Sequence, residues 1–301
     1  VSSSNKRRGI LFAIVGSTLW GMSGSVAQFV FQNKSISPLW LVGIRLFFAG
    51  LLLLVWYTAT NGKKVFSIFK SWHAVLILMI FSFLGMLPSQ LTYFMAIRYG
   101  NAPTATVLQF LGPLFIIIYL AFANWELPRR VDMFSIALAL FGTYLLVTQG
   151  NFNKLALSPL ALMWGLLAGV SQASYTLIPR KLLAEFDARL VVGWAMLIGS
   201  LPFAKIITTT SVQHVSTIDI VSIIFIIVFG TMFAYLLYLR SVQFISPSTT
   251  GMLSAFEPLT ATILSVTLLS TPISTPEVIG GILILCTTFL QALPQKSKID
   301  I

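Results

Sequence analysis

Glu257 and Pro258 stand side by side in an apolar, helix-length run over 247–269, in which Glu257 is the eleventh of 23 residues. A helix rises about 1.5 Å per residue, so this carboxyl falls near the middle of a hydrocarbon layer roughly 30 Å thick. A charge at that depth costs roughly 2.5 to 3.5 kcal/mol on insertion scales, so such residues face a bundle interior or an aqueous space. Pro258 removes a backbone donor and frees a carbonyl one turn back, which lipid tolerates only where neighbours satisfy it again. Three roles suit the carboxyl: carrying a proton, holding an amine, or hydrogen-bonding the carbonyl that Pro258 frees. Other polar residues interrupt apolar runs in the same way. Gln90 and Tyr93 lie three apart, and Tyr235 and Tyr238 repeat that spacing, which puts each pair on one helix face. Gln109, Gln172, Tyr175 and Ser254 lie in runs that can face the same space. Trp20 joins them, although tryptophans also anchor helices at membrane interfaces. For any one of these residues, gluing helices together is as good an explanation as contacting a ligand; as a set they favour a polar cavity.

Other chemistries find no support. Gly21-Met22-Ser23-Gly24 matches the G-x-S-G of intramembrane serine proteases, whose hydroxyl needs a histidine base within reach. His73 opens one run and His214 lies in a loop, so the motif reads as a small packing face and the chain as no enzyme. No G-x-x-x-x-G-K-[ST] loop exists to hydrolyse ATP, so pumping must use a gradient. Cys286 stands alone, which leaves neither a disulfide framework nor a thiolate metal site, and neither a cofactor nor a metal is expected. Arg45, about two turns into the second run, reads as snorkelling to headgroups, with a carboxylate-binding guanidinium as the alternative. Arg98 and Arg240 close the third and eighth runs and read as C-terminal caps.

The elements that position these residues follow from composition. Hydrophobic residues make up 57% of 301 positions and charged ones 9%, a balance that no soluble domain of this size needs. The net charge of +11 does not indicate nucleic acid, because the basic residues are dispersed at the ends of apolar runs. Ten membrane-spanning helices are predicted, over 9–31, 38–57, 72–98, 102–122, 132–148, 159–181, 190–209, 218–243, 247–269 and 276–293. The first run is long enough to span and is read as a retained helix, not a cleaved leader. With the N-terminus inside, 14 of the 19 lysines and arginines fall on inner segments, leaving Lys34, Arg45, Arg98, Lys154 and Lys205 outside. Both termini are therefore expected in the cytoplasm.

An internal repeat adds symmetry. A constant offset of 145 pairs Gly85 with Gly230, Gln90 with Tyr235, Tyr93 with Tyr238, Leu108 with Leu253 and Pro113 with Pro258. It continues through Leu138 with Leu283 to Leu145 with Leu290, while upstream the register slips. Five helices per unit is an odd number, so the second unit inserts upside down relative to the first, the architecture of alternating-access transporters.

Gly-Ile-Arg-Leu-Phe-Phe-Ala at 43–49, the block from Tyr93 to Pro113, Glu126, the stretch 137–142 and Phe256-Glu257-Pro258 together resemble the EamA family of the drug/metabolite transporter superfamily. The resemblance implies an all-α integral membrane protein: ten transmembrane helices as two inverted five-helix repeats, 9–149 and 158–293, around a central cavity. It departs at Gly112-Pro113, where the family often has Glu-Pro, and at Ser270-Thr271, where it usually has Gly-Glu. Glu257 is thereby the single candidate central carboxylate. The resemblance further implies a secondary transporter in the plasma membrane that moves a small-molecule substrate, with amino acids or related compounds exported and protons as a coupling ion. The alternatives are uptake or facilitated diffusion of an organic cation, or a non-transporting membrane protein such as a lipid scramblase or sensor subunit. Besides lipid no partner is implied, and monomer and homodimer suit the sequence equally.

Overall fold

A computed structural model describes residues 3–32, 36–125, 130–151, 156–210, 215–241, 243–245 and 247–291, and among them every regular element is helical. The family-like Glu126, the basic residues Lys34, Arg129, Lys154, Lys296 and Lys298, and His214 lie outside the described residues.

The first helix, α1 (Ser3–Val30), begins six residues before the apolar run, because Lys6, Arg7 and Arg8 are as helix-compatible as the residues they lead into. α2 (Pro38–Asn61) starts where the Ser37 side chain accepts the Trp40 N–H, with Pro38 in the first turn. A 3-10 segment, Gly62–Lys70, follows. Gly62 at φ 57 makes the reversal, and buried Val65 and Ile68 seat the segment, with Trp194 Nε1 donating to the Val65 carbonyl at 2.9 Å. Next come α3 (Trp72–Tyr99), α4 in two pieces (Ala102–Gln109 and Gly112–Asn124) and α5 (Arg130–Thr148). α6 (Pro159–Leu177), capped by Ser158, is followed by a short helix, Arg180–Glu185. α7 (Ala188–Thr209) is capped by Asp187, and α8 (Thr217–Ser241) by a reciprocal Ser216–Asp219 capping box. α9 is again divided (Pro247–Leu253 and Phe256–Leu269), and α10 runs over Thr275–Gln291. Among the described residues, nine helices are long and apolar enough to cross a membrane, and α10 is a shorter apolar helix. Large apolar side chains such as Val55, Leu84, Leu140 and Ile263 lie exposed on the outside of the bundle, where lipid is their natural solvent.

Two irregularities recur near the repeat offset. α3 is π-helical over Ser82–Met86 and α8 over Val228–Phe233, the segments that hold the paired Gly85 and Gly230. The runs expected as continuous helices over 102–122 and 247–269 are instead broken, before Pro113 and Pro258. The breaks tighten into i→i−3 bonds: Leu111 N–H to the Leu108 carbonyl, Ala255 to Met252, and Glu257 to Ser254 at 2.9 Å. The last of these matters because Ser254 carries the carbonyl that Pro258 leaves free.

Packing follows the same symmetry. α1 lies against α8 and α9, as α6 lies against α3 and α4, while α2 packs on α7 and α5 on α10. Exchanging the two halves leaves this pattern unchanged, which is what two five-helix repeats related by a twofold axis require.

Candidate functional site

The two breaks meet in the middle of the bundle, where irregular backbone is tolerated because it lines a cavity. The cavity has two adjoining chambers. The larger, about 390 Å³, runs from the breaks toward the face at which α6 and α8 end, past Gln109, Pro113, Gln172, Tyr175, Tyr238, Ser254 and Glu257. The smaller, about 60 Å³, lies deeper, between Ser23, Arg45, Gln90, Tyr93 and Glu257. Trp20, Gln109, Gln172, Tyr175, Tyr235 and Glu257 border both. All ten residues singled out in the sequence are on these walls. Trp164 lines neither chamber and packs against the apolar core.

The walls are held by polar contacts, two of them between the halves. Gln90 Nε2 donates to the Tyr235 hydroxyl at 3.3 Å, joining two residues that the repeat makes equivalent. Gln109 Nε2 donates to Gln172 Oε1 at 3.2 Å, while Gln109 Oε1 is buried without a partner. Tyr93 shares a 3.0 Å hydrogen bond with Thr106, whose hydroxyl in turn reaches the Ala102 carbonyl at 2.7 Å. The aromatic side is a cluster: Trp20 packs on Tyr235 and Tyr238 with centroids 5.1 and 4.9 Å away, and Tyr175 meets Tyr235 at 6.3 Å. Ser254 spends its hydroxyl on the Gly251 carbonyl at 2.6 Å.

Glu257 stands on the second piece of α9, one residue past the break. Among the described residues no hydrogen bond or ion pair engages its carboxylate. The structural role considered for it, satisfying the carbonyl freed by Pro258, is filled by its own backbone N–H.

Arg45 does not snorkel. It is 4% exposed and points into the bundle, donating from Nε to Thr231 Oγ1 at 2.5 Å and from Nη2 to the Gly230 carbonyl at 3.3 Å, both in the π segment of α8. Phe94 lies 4.7 Å beneath the guanidinium. Depth along the helix was readable in the sequence, but the face was not: the repeat register slips before α3, so no second-half residue marked Arg45 as inward. The small face of α1 is what brings these parts together. A Cβ on Gly21 would run into the Glu257 carbonyl, and one on Gly230 into Ser23. These contacts are backbone or short side chains that cannot swing aside.

Opposite the larger chamber the bundle is closed by a polar clasp. Gln28, near the end of α1, donates from Nε2 to Thr271 Oγ1 at 2.8 Å and accepts at Oε1 from the Ala102 N–H at 2.8 Å and from Ser265 Oγ at 3.3 Å. Beside it Ser25 donates to the Ala261 carbonyl at 3.1 Å. Arg98, read as a cap for its own helix, reaches across to the Phe31 carbonyl after α1. One glutamine thus ties α1 to the start of α4 in the first half and the end of α9 in the second.

The sequence profile of the EamA-like transporter family matches residues 7–148 and 159–293. An uncharacterized inner membrane transporter of Salmonella typhimurium, YicL, is 37% identical over 97% of both chains. An uncharacterized transporter of Bacillus subtilis, YwfM, is 24% identical over 96% of this chain and 95% of its own length. A solved crystal structure superposes with a TM-score of 0.60 over 97% of both chains at 18% identity, a likeness of fold alone.

Proposed function

Because this chain belongs to the EamA-like transporter family and is a multi-pass membrane transporter, we propose that it exports amino acids or closely related metabolites by alternating access. The observation that carries this reading is a single two-chambered cavity, walled by both halves where α4 and α9 break and sealed on one side by the Gln28 clasp. In it, Trp20, Gln90, Tyr93, Gln109, Gln172, Tyr175, Tyr235, Tyr238 and Ser254 contact the solute, and Glu257 supplies the negative charge. A carboxyl that is occluded in one state and open to water in the other carries a proton, or exchanges it for an amine. In this reading the chain lies in the plasma membrane with both termini in the cytoplasm, the orientation that the basic bias favours, so the larger chamber faces inward and the clasp outward.

The organic-cation alternative draws on the Trp20, Tyr235 and Tyr238 cluster beside Glu257. Arg45 on the same small chamber opposes it, since a guanidinium repels a cation across a few ångströms of low dielectric. A scramblase calls for a polar groove open to lipid, whereas the polar residues here face the interior. The test is counterflow in proteoliposomes preloaded with single amino acids, with and without an imposed pH gradient. Saturable exchange supports the assignment; exchange of amines but not amino acids replaces it with the cation reading.

A further inference from the structure

Arg45 spends two of its three guanidinium nitrogens on the π segment of α8, and the third, Nη1, is buried without a hydrogen-bond partner. A desolvated cation that keeps an unused donor is costly, and native structures rarely leave one without a function. Glu257 borders the same chamber, yet no ion pair joins the two side chains. Tethers from Nε and Nη2 and the Phe94 ring below fix the guanidinium plane, so Nη1 cannot swing to another partner. The chamber, roughly 60 Å³, has room for a carboxylate-sized group. The amide of Gln90 and the hydroxyls of Tyr93 and Ser23 complete its polar wall, and Ser23 Oγ is likewise buried and unpaired.

We propose that Arg45 is a specificity-determining residue that recognises a carboxylate on the transported solute through Nη1. That group lies in the small chamber and the rest of the solute in the larger one, beside Trp20 and Tyr238. The inference rests on the reading of this cavity as the transport site, and narrows it to solutes that bring their own anion. It also assigns two unpaired donors of the small chamber, Arg45 Nη1 and Ser23 Oγ, to one ligand group.

The experiment is thermal stabilisation of the purified full chain by three matched sets of probes: the protein amino acids, their carboxamides, and the corresponding decarboxylated amines. A ligand that binds only the folded state raises the midpoint by mass action, so apparent affinities follow from the concentration dependence. At least one amino acid is expected to bind tenfold or more tightly than its own carboxamide. In Arg45→Gln that ratio falls to within threefold of unity, because only the acid loses a partner; Arg45→Lys, which keeps the charge without the fork, falls between. Equal binding of acid and amide by the unaltered protein overturns the proposal without any variant. An Arg45→Gln protein that weakens both alike also overturns it, and leaves Arg45 as a brace for the π segment. Stabilisation by amines alone removes the carboxylate while the cavity stands as the binding site. Failure of all three sets, together with absent counterflow, removes the transport-site reading itself.

Discussion

Replacing Gln28 with alanine should loosen the closed side of the bundle by an amount that the structure allows to be worked out. The substitution deletes the 2.8 Å bond to Thr271 Oγ1, the 2.8 Å bond from the Ala102 N–H and the longer, 3.3 Å bond from Ser265 Oγ, which keeps Ser25 as a partner. The first is worth about 0.6 to 1 kcal/mol net, the lower value applying between helices in lipid. Ala102 is fully buried, so its orphaned N–H adds a desolvation cost of about 1 to 3 kcal/mol. The total, about 2 to 4 kcal/mol, corresponds to one to three powers of ten in the equilibrium between the sealed arrangement and any state with the clasp apart. Hydrogen exchange of the protein in nanodiscs reads this directly. Amides at the start of α4 and at the end of α9 should both exchange at least tenfold faster in Gln28→Ala, while those of α5 and α10 keep their protection. Acceleration at Ala102 alone would make Gln28 a local cap. Unchanged exchange at both ends would refute the idea that this residue ties the halves together.

Two further outcomes follow. Cysteines placed singly at Asn61 and Asn151, with Cys286 replaced, should be labelled from opposite sides of the membrane, since α2 and α5 end on opposite faces; labelling from one side would break the inverted arrangement. Arg189 beside Asp187, with bonds of 2.7 and 3.0 Å, holds that carboxyl below its ordinary range. Its cap on α7 therefore stabilises above the ordinary carboxylate pKa and is lost as pH falls through the depressed one. Asp187→Asn should lower the thermal midpoint near neutrality and match the unaltered protein in strong acid, and a difference that instead grows toward acid would contradict that sign.

The architecture was legible because membrane helices announce themselves by length and apolarity, and because Gly85, Tyr93 and Pro113 recur at one offset as Gly230, Tyr238 and Pro258. The same residues held more than they disclosed. Pro113 and Pro258 read as irregularities within helices, but whether a proline kinks a helix or divides it depends on the i→i−3 bonds its neighbours make. Gly85 and Gly230 showed only as a repeated pair, and the π turn around Gly230 is held by tertiary contacts, Ser23 on the glycine and Arg45 on its carbonyl. The positions on the cavity wall were within reach, because polar side chains in lipid have few other places to go. Arg45 was not, since a lone arginine two turns from a helix end meets the headgroups on one face and the core on the other, and periodicity weakens in a run apolar all round. Gln28 carried no sequence signal beyond being polar near a helix end.

Glu257→Gln is the most direct test, because it keeps shape and hydrogen-bonding capacity while removing titration at the one carboxylate on the cavity wall. In proteoliposomes, with insertion and thermal midpoint matched to the unaltered protein, the account predicts that exchange is lost or proceeds at a rate that no longer varies with pH. Exchange at the normal rate with the unaltered pH dependence would make Glu257 a structural residue and contradict the assignment of the cavity's charge to transport.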